Sequence, residues 1–516
     1  MSAHHRLIHH LLERSARVHP LKTAVVHQKH RLTYSQLNAA ANRLAEWCLA
    51  QSLVPGDRVS IMMENGPDYI VAYYGALKAG AVVVPLSSAS KPDSAGALLR
   101  SVRPRLLVVS GACSRTLRAA DLSDAGIQTA RIVGEGTWRN APFDVQTGEI
   151  DQLDPAPSDP CLALDPCQPA SIIFTSGSTG SPRGVVLTHR NIVANTQSIC
   201  ESLSLTAEDR QMVVLPFHYV MGKSLLNTHI AVGGTVVLNN TFAYPATVLR
   251  DMEREGVTGF SGVPSTYGFL LNRSPLSAYR DRLPSLRYCA QAGGHMSAYV
   301  KRALAAALPP HTRLYVMYGA TEASPRLTCL DPSRLEEKIE SIGTPIPDVS
   351  VRILDGPGRE LPPGEVGELV ASGPNIMQGY WQDPEGSAKA LLRGGYHTGD
   401  LGYRDAEGFL YVTGRRDNQL KVGGHRVNPV QVEDALLESG LVDEVAVIGV
   451  EDGLQGHRLV ALVAPATPEL TAGTLLRACA GRLPRHLLPA TVRFVRTIPK
   501  MASGKLDLTQ CRALVD

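Results

Sequence analysis

Residues 174–184 form the stretch of the sequence that is richest in chemically useful side chains. They read Phe-Thr-Ser-Gly-Ser-Thr-Gly-Ser-Pro-Arg-Gly and follow an apolar run at 170–174. Glycines let a loop turn several backbone N–H groups toward one point, hydroxyl groups add further donors, and Arg183 adds a fixed positive charge. This combination predicts a loop that binds a polyphosphate.

The loop differs from the common nucleotide-binding loop that precedes a helix. The pattern GxxxxGK[ST] is absent, and residues 185–187 are Val-Val-Leu, which favour a strand where that loop requires a helix. A surface hairpin rich in serine and glycine is the alternative, but it does not explain why several hydroxyl-bearing residues are followed by an arginine. We therefore expect a phosphate loop between two strands.

Four further motifs follow in order along the chain. They are Tyr-Gly-Ala-Thr-Glu at 318–322, Tyr-His-Thr-Gly-Asp at 396–400, Gly-Arg-Arg-Asp at 414–417 and Pro-Lys-Met-Ala-Ser-Gly-Lys at 499–505. With the loop, they resemble the adenylate-forming superfamily: acyl- and aryl-CoA synthetases, luciferases and the adenylation domains of peptide synthetases. The similarity extends from Leu32 nearly to the C-terminus. Arg183 replaces the lysine of the usual Pro-Lys-Gly ending, which keeps the charge but changes its geometry.

The chemistry of that superfamily explains why such residues are needed. A carboxylate is a poor electrophile, so it first attacks the α-phosphorus of ATP to give an acyl adenylate and pyrophosphate. Both reactants are anions, so the site needs cations, N–H donors and a metal ion on the leaving group. The resemblance therefore implies ATP and Mg²⁺ as cofactors.

The resemblance assigns the phosphates and the metal to three motifs. Thr321 would bind the α-phosphate and Glu322 the Mg²⁺ ion. Lys505 would bridge the attacking carboxylate and the α-phosphate as the catalytic cation. The residues implied for the β- and γ-phosphates are Thr175, Ser176, Gly177, Ser178, Thr179, Gly180 and Arg183.

The nucleoside is assigned to another group of residues. The resemblance implies Gly293, Gly294, Tyr318, Gly319, Asp400 and Arg415. The two glycines would bring backbone beside the adenine, Tyr318 would stack on it, and Asp400 would accept the ribose hydroxyls with help from Arg415. Lys421 belongs to a cluster of basic residues that could meet a nucleotide phosphate, although such a cluster is more often a solvated face.

The stretch Leu-Pro-Phe-His-Tyr-Val-Met-Gly at 215–222 bears on the acid substrate. It resembles a motif of acyl and aryl synthetases in which the histidine, here His218, lies beside the bound carboxylate. Peptide-synthetase domains usually place an aspartate here to hold an amino group, and none is present. This favours a plain carboxylic acid with an apolar or aromatic body. A packed structural role for His218 stays open, and Lys223 either lies on the surface or meets a second polar group of the acid.

The second half-reaction is less defined by the sequence. Gly423 and Gly424 resemble the loop that forms a narrow channel for a pantetheine arm. The acceptor would be CoA as a co-substrate, a carrier-protein phosphopantetheine or an amine. The resemblance thus implies an AMP-forming acid–thiol ligase. An amide-forming ligase, a nucleotide-hydrolysing switch and a non-catalytic relative are the alternatives.

The predicted fold is α/β. Strand and helix patterns alternate from residue 59 onward, which predicts parallel sheets covered by helices. Residues 346–370, rich in Pro, Gly and Val, predict short antiparallel strands in a small β-barrel-like part. We predict an N-terminal adenylation domain at 1–416 and a small mobile α+β domain at 417–516. Because Lys505 and Gly423 lie on this small domain but serve different steps, it must rotate, with Asp417 as the hinge.

Composition excludes several other classes of protein. Lysine plus arginine number 51 and aspartate plus glutamate 48, a net charge of +3, which predicts no nucleic-acid partner. Apolar runs are too short for a membrane span. Nine scattered cysteines without a CxxC pair argue against disulfides and zinc, which fits a reducing cytoplasm. Histidine pairs at 4–5 and 9–10 predict only an exposed N-terminal helix, since we identify no carboxylate or cysteine that completes a metal-binding set.

Overall fold

The computed structural model describes residues 6–154, 158–175, 182–356, 358–416, 420–452, 456–501, 504 and 506–515. Its α-helices are α1 (His9–Val18), α2 (Tyr34–Ala50), α3 (Pro67–Lys78), α4 (Pro92–Val102), α5 (Gly111–Leu117), α6 (His189–Ser202), α7 (Val220–Val232), α8 (Pro245–Arg254), α9 (Pro264–Arg273), α10 (Ala298–Ala307), α11 (Pro384–Ala390), α12 (Pro429–Leu437), α13 (Ala472–Cys479) and α14 (Leu508–Ala513). None of the helices in these ranges has both the length and the apolar composition needed to cross a lipid bilayer.

The strands divide among four sheets. In chain order they are β1 (Thr23–His27), β2 (His30–Thr33), β3 (Arg58–Met62), β4 (Val82–Leu86), β5 (Leu106–Ser110), β6 (Thr129–Val133), β7 (Asp144–Thr147), β8 (Pro169–Thr175), β9 (Arg183–Thr188), β10 (Arg210–Val213), β11 (Thr235–Leu238), β12 (Gly259–Gly262), β13 (Tyr288–Gln291), β14 (Arg313–Tyr318), β15 (Thr328–Leu330), β16 (Thr344–Pro345), β17 (Ser350–Leu354), β18 (Gly367–Ser372), β19 (Gly379–Tyr380), β20 (Tyr396–Arg404), β21 (Leu410–Arg415), β22 (Leu420–Val422), β23 (His425–Val427), β24 (Val442–Asp452), β25 (Gly456–Pro465) and β26 (Thr491–Phe494).

An eight-stranded sheet carries the phosphate-loop sequence. Its order is β19-β9-β8-β4-β3-β5-β6-β7, and the pairs from β8 to β7 are parallel. Strands β8 and β9 form an antiparallel hairpin in which Thr175 pairs with Arg183. The strand predicted after the loop is therefore confirmed, and the loop joins the two strands of this hairpin.

A nine-stranded sheet organises the rest of the site. Its order is β16-β15-β14-β13-β12-β10-β11-β1-β2, and β10, β12, β13 and β14 are consecutive parallel neighbours. The chain leaves these strands toward His218, Val263, Gly293 and Tyr318 respectively. Because the carboxyl ends of parallel strands lie at one edge of a sheet, these four positions are brought to the same edge.

The small β part is an open sheet. Strands β17, β18, β20 and β21 form an antiparallel sheet in that order, and this path does not close within the described residues. The antiparallel strands are confirmed, but the barrel-like shape is not a closed barrel. The sheet pairs Asp400 with Arg415 in neighbouring strands.

The C-terminal region is a separate α+β layer. Strands β23, β22, β25 and β24 form one sheet in that order, β26 adds to β25 in parallel, and α12 and α13 contribute to its core. The mixed α/β architecture is confirmed. Asp417 lies outside the described residues, and the boundary at 416/417 stays a prediction.

Two parts of the N-terminal half test local sequence rules. Thr33 caps α2 in a capping box, which its spacing from Gln36 favours: its Oγ1 accepts from the Gln36 N–H at 3.2 Å, and the Gln36 Oε1 accepts from the Thr33 N–H at 2.9 Å. The prediction that the N-terminal helix is exposed was wrong. His9 is buried on this helix, α1, because α1 packs against α7.

The claim that no carboxylate completes a set with the N-terminal histidines was also wrong. His9, His10 and Glu13 place one possible ligand atom each within 4.8 Å of one another. However, the buried Lys78 donates to Glu13 at 2.7 Å and to Asp159 at 2.7 Å, so an ammonium group already neutralises this carboxylate. We therefore interpret Lys78, Glu13 and Asp159 as a buried ion-pair network.

Candidate active site

The predicted nucleoside residues form a hydrogen-bonded cluster. The hydroxyl of Tyr318 donates to Oδ2 of Asp400 at 2.5 Å, and Nε of Arg415 lies 3.3 Å from Oδ1 of the same carboxylate. Burial raises the pKa of Tyr318 well above its ordinary value, and the Asp400 charge adds to the effect. Tyr318 therefore stays protonated and serves as a donor. The structure brings these three predicted residues together.

Glycine is required at two positions of this cluster. A Cβ on Gly319 would lie 2.0 Å from the carbonyl oxygen of Pro325, so only glycine fits there. Gly293 has φ +86°, which disfavours other residues, and a Cβ on it would lie 3.1 Å from Cγ1 of Val263. The carbonyl of Gly294 accepts from Nε2 of Gln291 at 2.7 Å, which holds this turn. Gly319 thus lies against backbone and Gly293 against the side chain of Val263.

The predicted metal residue is linked to the phosphate hairpin through a tyrosine. The hydroxyl of Tyr380 donates to Oε1 of Glu322 at 2.9 Å, and the guanidinium of Arg183 lies 5.4 Å from the centroid of the Tyr380 ring. Thr321 and Glu322 lie on one short 3₁₀ turn, Thr321–Ala323. Glu322 thus offers a hard oxygen ligand beside the phosphate hairpin, which fits Mg²⁺.

The sequence reasoning did not identify Tyr380. It lies on β19, which pairs antiparallel with β9, so Tyr380 is opposite Val185, two residues beyond Arg183. A Gly-Tyr-Trp run at 379–381 was the available signal. Its link to Arg183 and Glu322 depends on pairing between strands nearly 200 residues apart.

The acid motif places a histidine and a lysine side by side at the start of α7. His218 is half-buried, its Nε2 has no hydrogen-bond partner, and its ring centroid lies 4.2 Å from that of Tyr219. Burial lowers the pKa of His218 to about 4, and the neighbouring Lys223 charge contributes. His218 is therefore neutral at pH 7. Lys223 is buried, which excludes a surface position.

The turn that precedes α7 also depends on a glycine. A Cβ on Gly222 would come within 2.3 Å of the carbonyl oxygen of Pro216. This contact explains why the motif ends on glycine. It also fixes how the His218 segment folds back against the first turn of α7.

The C-terminal region touches this site at its terminal motif. A Cβ on Gly504 would lie 2.6 Å from Oγ of Ser265 and 2.7 Å from Cγ2 of Val263, the residue that also flanks Gly293. Two residues from Gly293, Nε2 of His295 lies 2.8 Å from Oδ2 of Asp434 on α12. Gly504, the neighbour of Lys505 in the sequence, therefore lies close to the residues that flank Gly293. Sequence reasoning missed Val263 and Ser265, which no motif marked.

The predicted acceptor loop and Lys421 lie on the C-terminal sheet, whereas Arg415 of the same basic cluster lies on β21 beside Asp400. Gly423 (φ +54°) and Gly424 (φ +82°) form the two-residue turn between β22 and β23, where positive φ is favoured. No atom would contact a Cβ at either position within 4 Å, so the loop is open. Lys421 is exposed on β22.

Several predicted residues lie outside the described ranges. These are Ser176, Gly177, Ser178, Thr179, Gly180, Asp417 and Lys505. Their roles remain predictions. Thr175 and Arg183, which flank the loop, are placed by the hairpin.

Comparisons with known proteins show which family the chain resembles over most of its length. A model of the AMP-binding enzyme family matches residues 12–381, and one of the AMP-binding enzyme C-terminal domain matches residues 431–505. The chain is 34% identical over 502 residues to the feruloyl-CoA synthase of an Amycolatopsis species, with 96% of each chain covered. It is 30% identical over 509 residues to the indoleacetate–CoA ligase of Aromatoleum aromaticum, covering 98% of this chain and 97% of that protein.

A solved structure extends the likeness to the whole fold. The anthranilate CoA ligase AuaEII in complex with anthranoyl-AMP matches with a TM-score of 0.90 and 23% identity, covering 99% of this chain and 98% of that chain. At this identity the match shows the shared fold alone.

The chain belongs to the AMP-binding enzyme family. It is an AMP-forming acid–thiol ligase: it uses ATP to convert a carboxylic acid into an acyl adenylate with release of pyrophosphate, and it transfers the acyl group to a thiol.

Proposed function

We propose that the enzyme activates a carboxylic acid with an aromatic or otherwise apolar body and transfers it to CoA. The observation that carries the acid class is His218, a neutral histidine with an unpartnered Nε2 where an amino-acid-activating domain would need a carboxylate. The names of the two relatives, a feruloyl-CoA synthase and an indoleacetate–CoA ligase, describe aryl acids and a CoA acceptor.

The proposed binding of ATP follows the two clusters of the site. Tyr318 would present its ring face to the adenine while its hydroxyl is held by Asp400, and the carboxylate would use its remaining lone pairs for the ribose hydroxyls. Thr321 would bind the α-phosphate, and the loop between Thr175 and Arg183 the outer phosphates.

Glu322 would hold Mg²⁺ on the phosphates. The ion would neutralise charge on the leaving pyrophosphate. Tyr380 would orient the carboxylate, since its hydroxyl donates to one oxygen and leaves the other available. Arg183 would add a second cation at the edge of the same hairpin.

The proposed cycle uses two positions of the C-terminal domain, residues 417–516. The contact of Gly504 with Ser265 and Val263 supports a position in which Lys505 serves adenylation. The open turn at Gly423 and Gly424 would line the acceptor channel after the domain rotates about Asp417. One domain cannot present both faces to one site at once.

A pyrophosphate-release assay over carboxylic acids of varied chain length and aromaticity tests this proposal. Acids that are active would then be offered CoA, a carrier protein carrying phosphopantetheine, and simple amines. We expect acid-dependent AMP and pyrophosphate with aryl or apolar acids, and product formation with CoA. The Lys505→Ala variant serves as the control for the source of the activity, and it should lose at least about a hundredfold in pyrophosphate release. ADP formation without an acid, or transfer only to an amine or carrier protein, would contradict the proposal.

A further inference from the structure

Lys223 is a buried lysine whose ammonium group has no hydrogen-bond partner. It lies in the first turn of α7 and is 2% exposed, and its Nζ makes no hydrogen bond among the described residues. Two aromatic rings lie close to it: Nζ is 4.6 Å from the ring centroid of Tyr73 and 5.8 Å from that of Tyr69. Burial lowers the pKa of Lys223 to about 7.

Two other buried lysines show what a structural role requires. Lys78 donates to the carboxylates of Glu13 and Asp159 at 2.7 Å each. Lys301 donates to the carbonyl oxygen of Ile339 at 2.5 Å. Both have an acceptor within the fold, as buried cations almost always do, because burying an unpaired charge costs several kcal/mol. Cation–π contacts offset only part of such a cost.

The position of Lys223 indicates where its acceptor comes from. Val220, Lys223, Ser224 and Asn227 lie on one face of α7, and this face lines a cavity of about 10 Å³ that also touches Ser324. Ser324 directly follows the turn that carries Thr321 and Glu322. The cavity thus lies between the acid motif and the turn that carries the proposed metal residue, and Ile173, Leu187 and Ile192 also line it. Its volume matches about one water molecule, so an anionic substituent would reach Nζ only if the lining side chains move apart.

Lys223 and His218 give this region two unpartnered nitrogens of different character. His218 is neutral and has one free ring nitrogen, whereas Lys223 offers three N–H donors and no acceptor. A neutral histidine costs less to bury than a charged lysine, and an anion beside Nζ would favour the ammonium form of Lys223 and give it an acceptor. An acid whose body carries no anionic substituent offers Nζ no such partner.

We propose that Lys223 is a specificity-determining residue that binds an anionic substituent on the body of the acid, so that the enzyme selects acids with a second carboxylate or sulfonate. This inference rests on the proposed acid activation and adds one anionic substituent to the otherwise apolar body of the acid. The first carboxylate reacts with ATP, and the second stays ionised and pairs with the ammonium group.

Matched acids test the inference in the wild-type enzyme. Each set has the same aryl or alkyl body and carries hydrogen, a carboxamide or a carboxylate at one position, and the position is varied. The measurement is kcat/KM for pyrophosphate release. We expect that at one position the carboxylate is favoured over the carboxamide by at least about tenfold, which corresponds to about 1.4 kcal/mol. Equal or lower kcat/KM for the carboxylate at every position overturns the inference.

Two lysine variants assign the preference to the residue. Lys223→Met keeps the length of the side chain and removes the charge, and it should abolish the preference while retaining activity with the unsubstituted acid. Lys301→Met, in a buried lysine on α10, is the matched control and should keep the preference. A preference that persists in Lys223→Met overturns the assignment.

The design separates this inference from the proposed function. If Lys223→Met does not fold, Lys223→Arg is used instead. This variant keeps the charge and should keep the preference for the carboxylate over the carboxamide, so loss of that preference in Lys223→Arg counts against the inference. The measurements on the wild-type enzyme test the inference in either case. If no acid releases pyrophosphate, the proposed function itself fails. If unsubstituted acids react well and added carboxylates never help, only the role of Lys223 fails.

Discussion

The hydroxyl of Tyr318 donates a 2.5 Å hydrogen bond to Oδ2 of Asp400, across 82 positions of the chain. The bond joins the end of β14 in the nine-stranded sheet to β20 in the antiparallel sheet. It fixes the edge of the aromatic ring, so that the ring face is presented in one orientation. The same carboxylate is held from the other side by Arg415.

Tyr318→Phe removes this bond but keeps the ring. A hydrogen bond to a charged group contributes about 1.5–3 kcal/mol, so we expect KM for ATP to rise by about tenfold or more, with KM for the acid nearly unchanged. Steady-state kinetics with each substrate varied measures both values. Tyr411→Phe, which removes a 3.3 Å bond to Asp405 in the same sheet, is the control and should leave both unchanged. Equal effects in the two variants would refute the role of Tyr318.

Gly504 and Gly424 form a matched pair for the two half-reactions. They have similar backbone angles, φ +79° and φ +82°, so alanine strains both alike. A Cβ at Gly504 meets Ser265 and Val263, whereas one at Gly424 meets nothing within 4 Å. We expect Gly504→Ala to slow pyrophosphate release by about tenfold or more, and Gly424→Ala to spare it. Single-turnover measurement of each half-reaction tests this expectation. An equal loss of adenylation in both variants would show that the approach of Gly504 to Ser265 and Val263 does not matter.

Glu322→Gln tests the metal site. The amide keeps the size of the side chain and its hydrogen bond from Tyr380 but is a weaker ligand for Mg²⁺. The protein should stay folded and require roughly tenfold more Mg²⁺ for half-maximal pyrophosphate release. A magnesium titration measures this, with the exposed Glu385→Gln as control. An unchanged requirement would place the metal on other residues.

Asp417→Pro tests the hinge. Proline fixes φ near −65° and removes the N–H, which restricts a backbone change at this position. We expect the variant to retain acid-dependent pyrophosphate release but to lose most transfer to the acceptor. Asp417→Ala keeps the backbone free and should transfer nearly normally. If the proline variant is folded and transfers at the normal rate, Asp417 is not the hinge.

Stability should fall on acidification because of buried neutral histidines. Burial lowers the pKa of His229 to about 4, below the ordinary value of 6.5. Between these two pH values the unfolded chain binds a proton that the folded chain does not, so the free energy of unfolding falls as pH falls, by about 1.4 kcal/mol per pH unit for each such histidine. Thermal unfolding from pH 7 to 4.5 measures this. The unfolding midpoint of His229→Gln should depend less steeply on pH than that of the wild type; parallel curves would contradict the assignment.

The sequence by itself determined the features that depend on neighbouring residues. The capping box at Thr33 and the strand after the phosphate loop are local patterns, and both are present in the structure. Steric demands at Gly319 and Gly293 are also local in origin, since a residue without a Cβ marks a tight turn or a close approach.

Only the tertiary structure decided which distant residues meet and which side chains are buried. Tyr380 reaches Glu322 because β19 pairs with β9, and Ser265 meets Gly504 from 239 positions earlier in the chain. The burial of His9 and Lys223 depends on the packing of α1 and α3 against α7. Sequence periodicity reports which face of an element is apolar, but a polar side chain at one position carries no local signal of what covers it. Packing of distant elements therefore sets the environment of Lys223, and that environment leaves its ammonium group without a hydrogen-bond acceptor among the described residues.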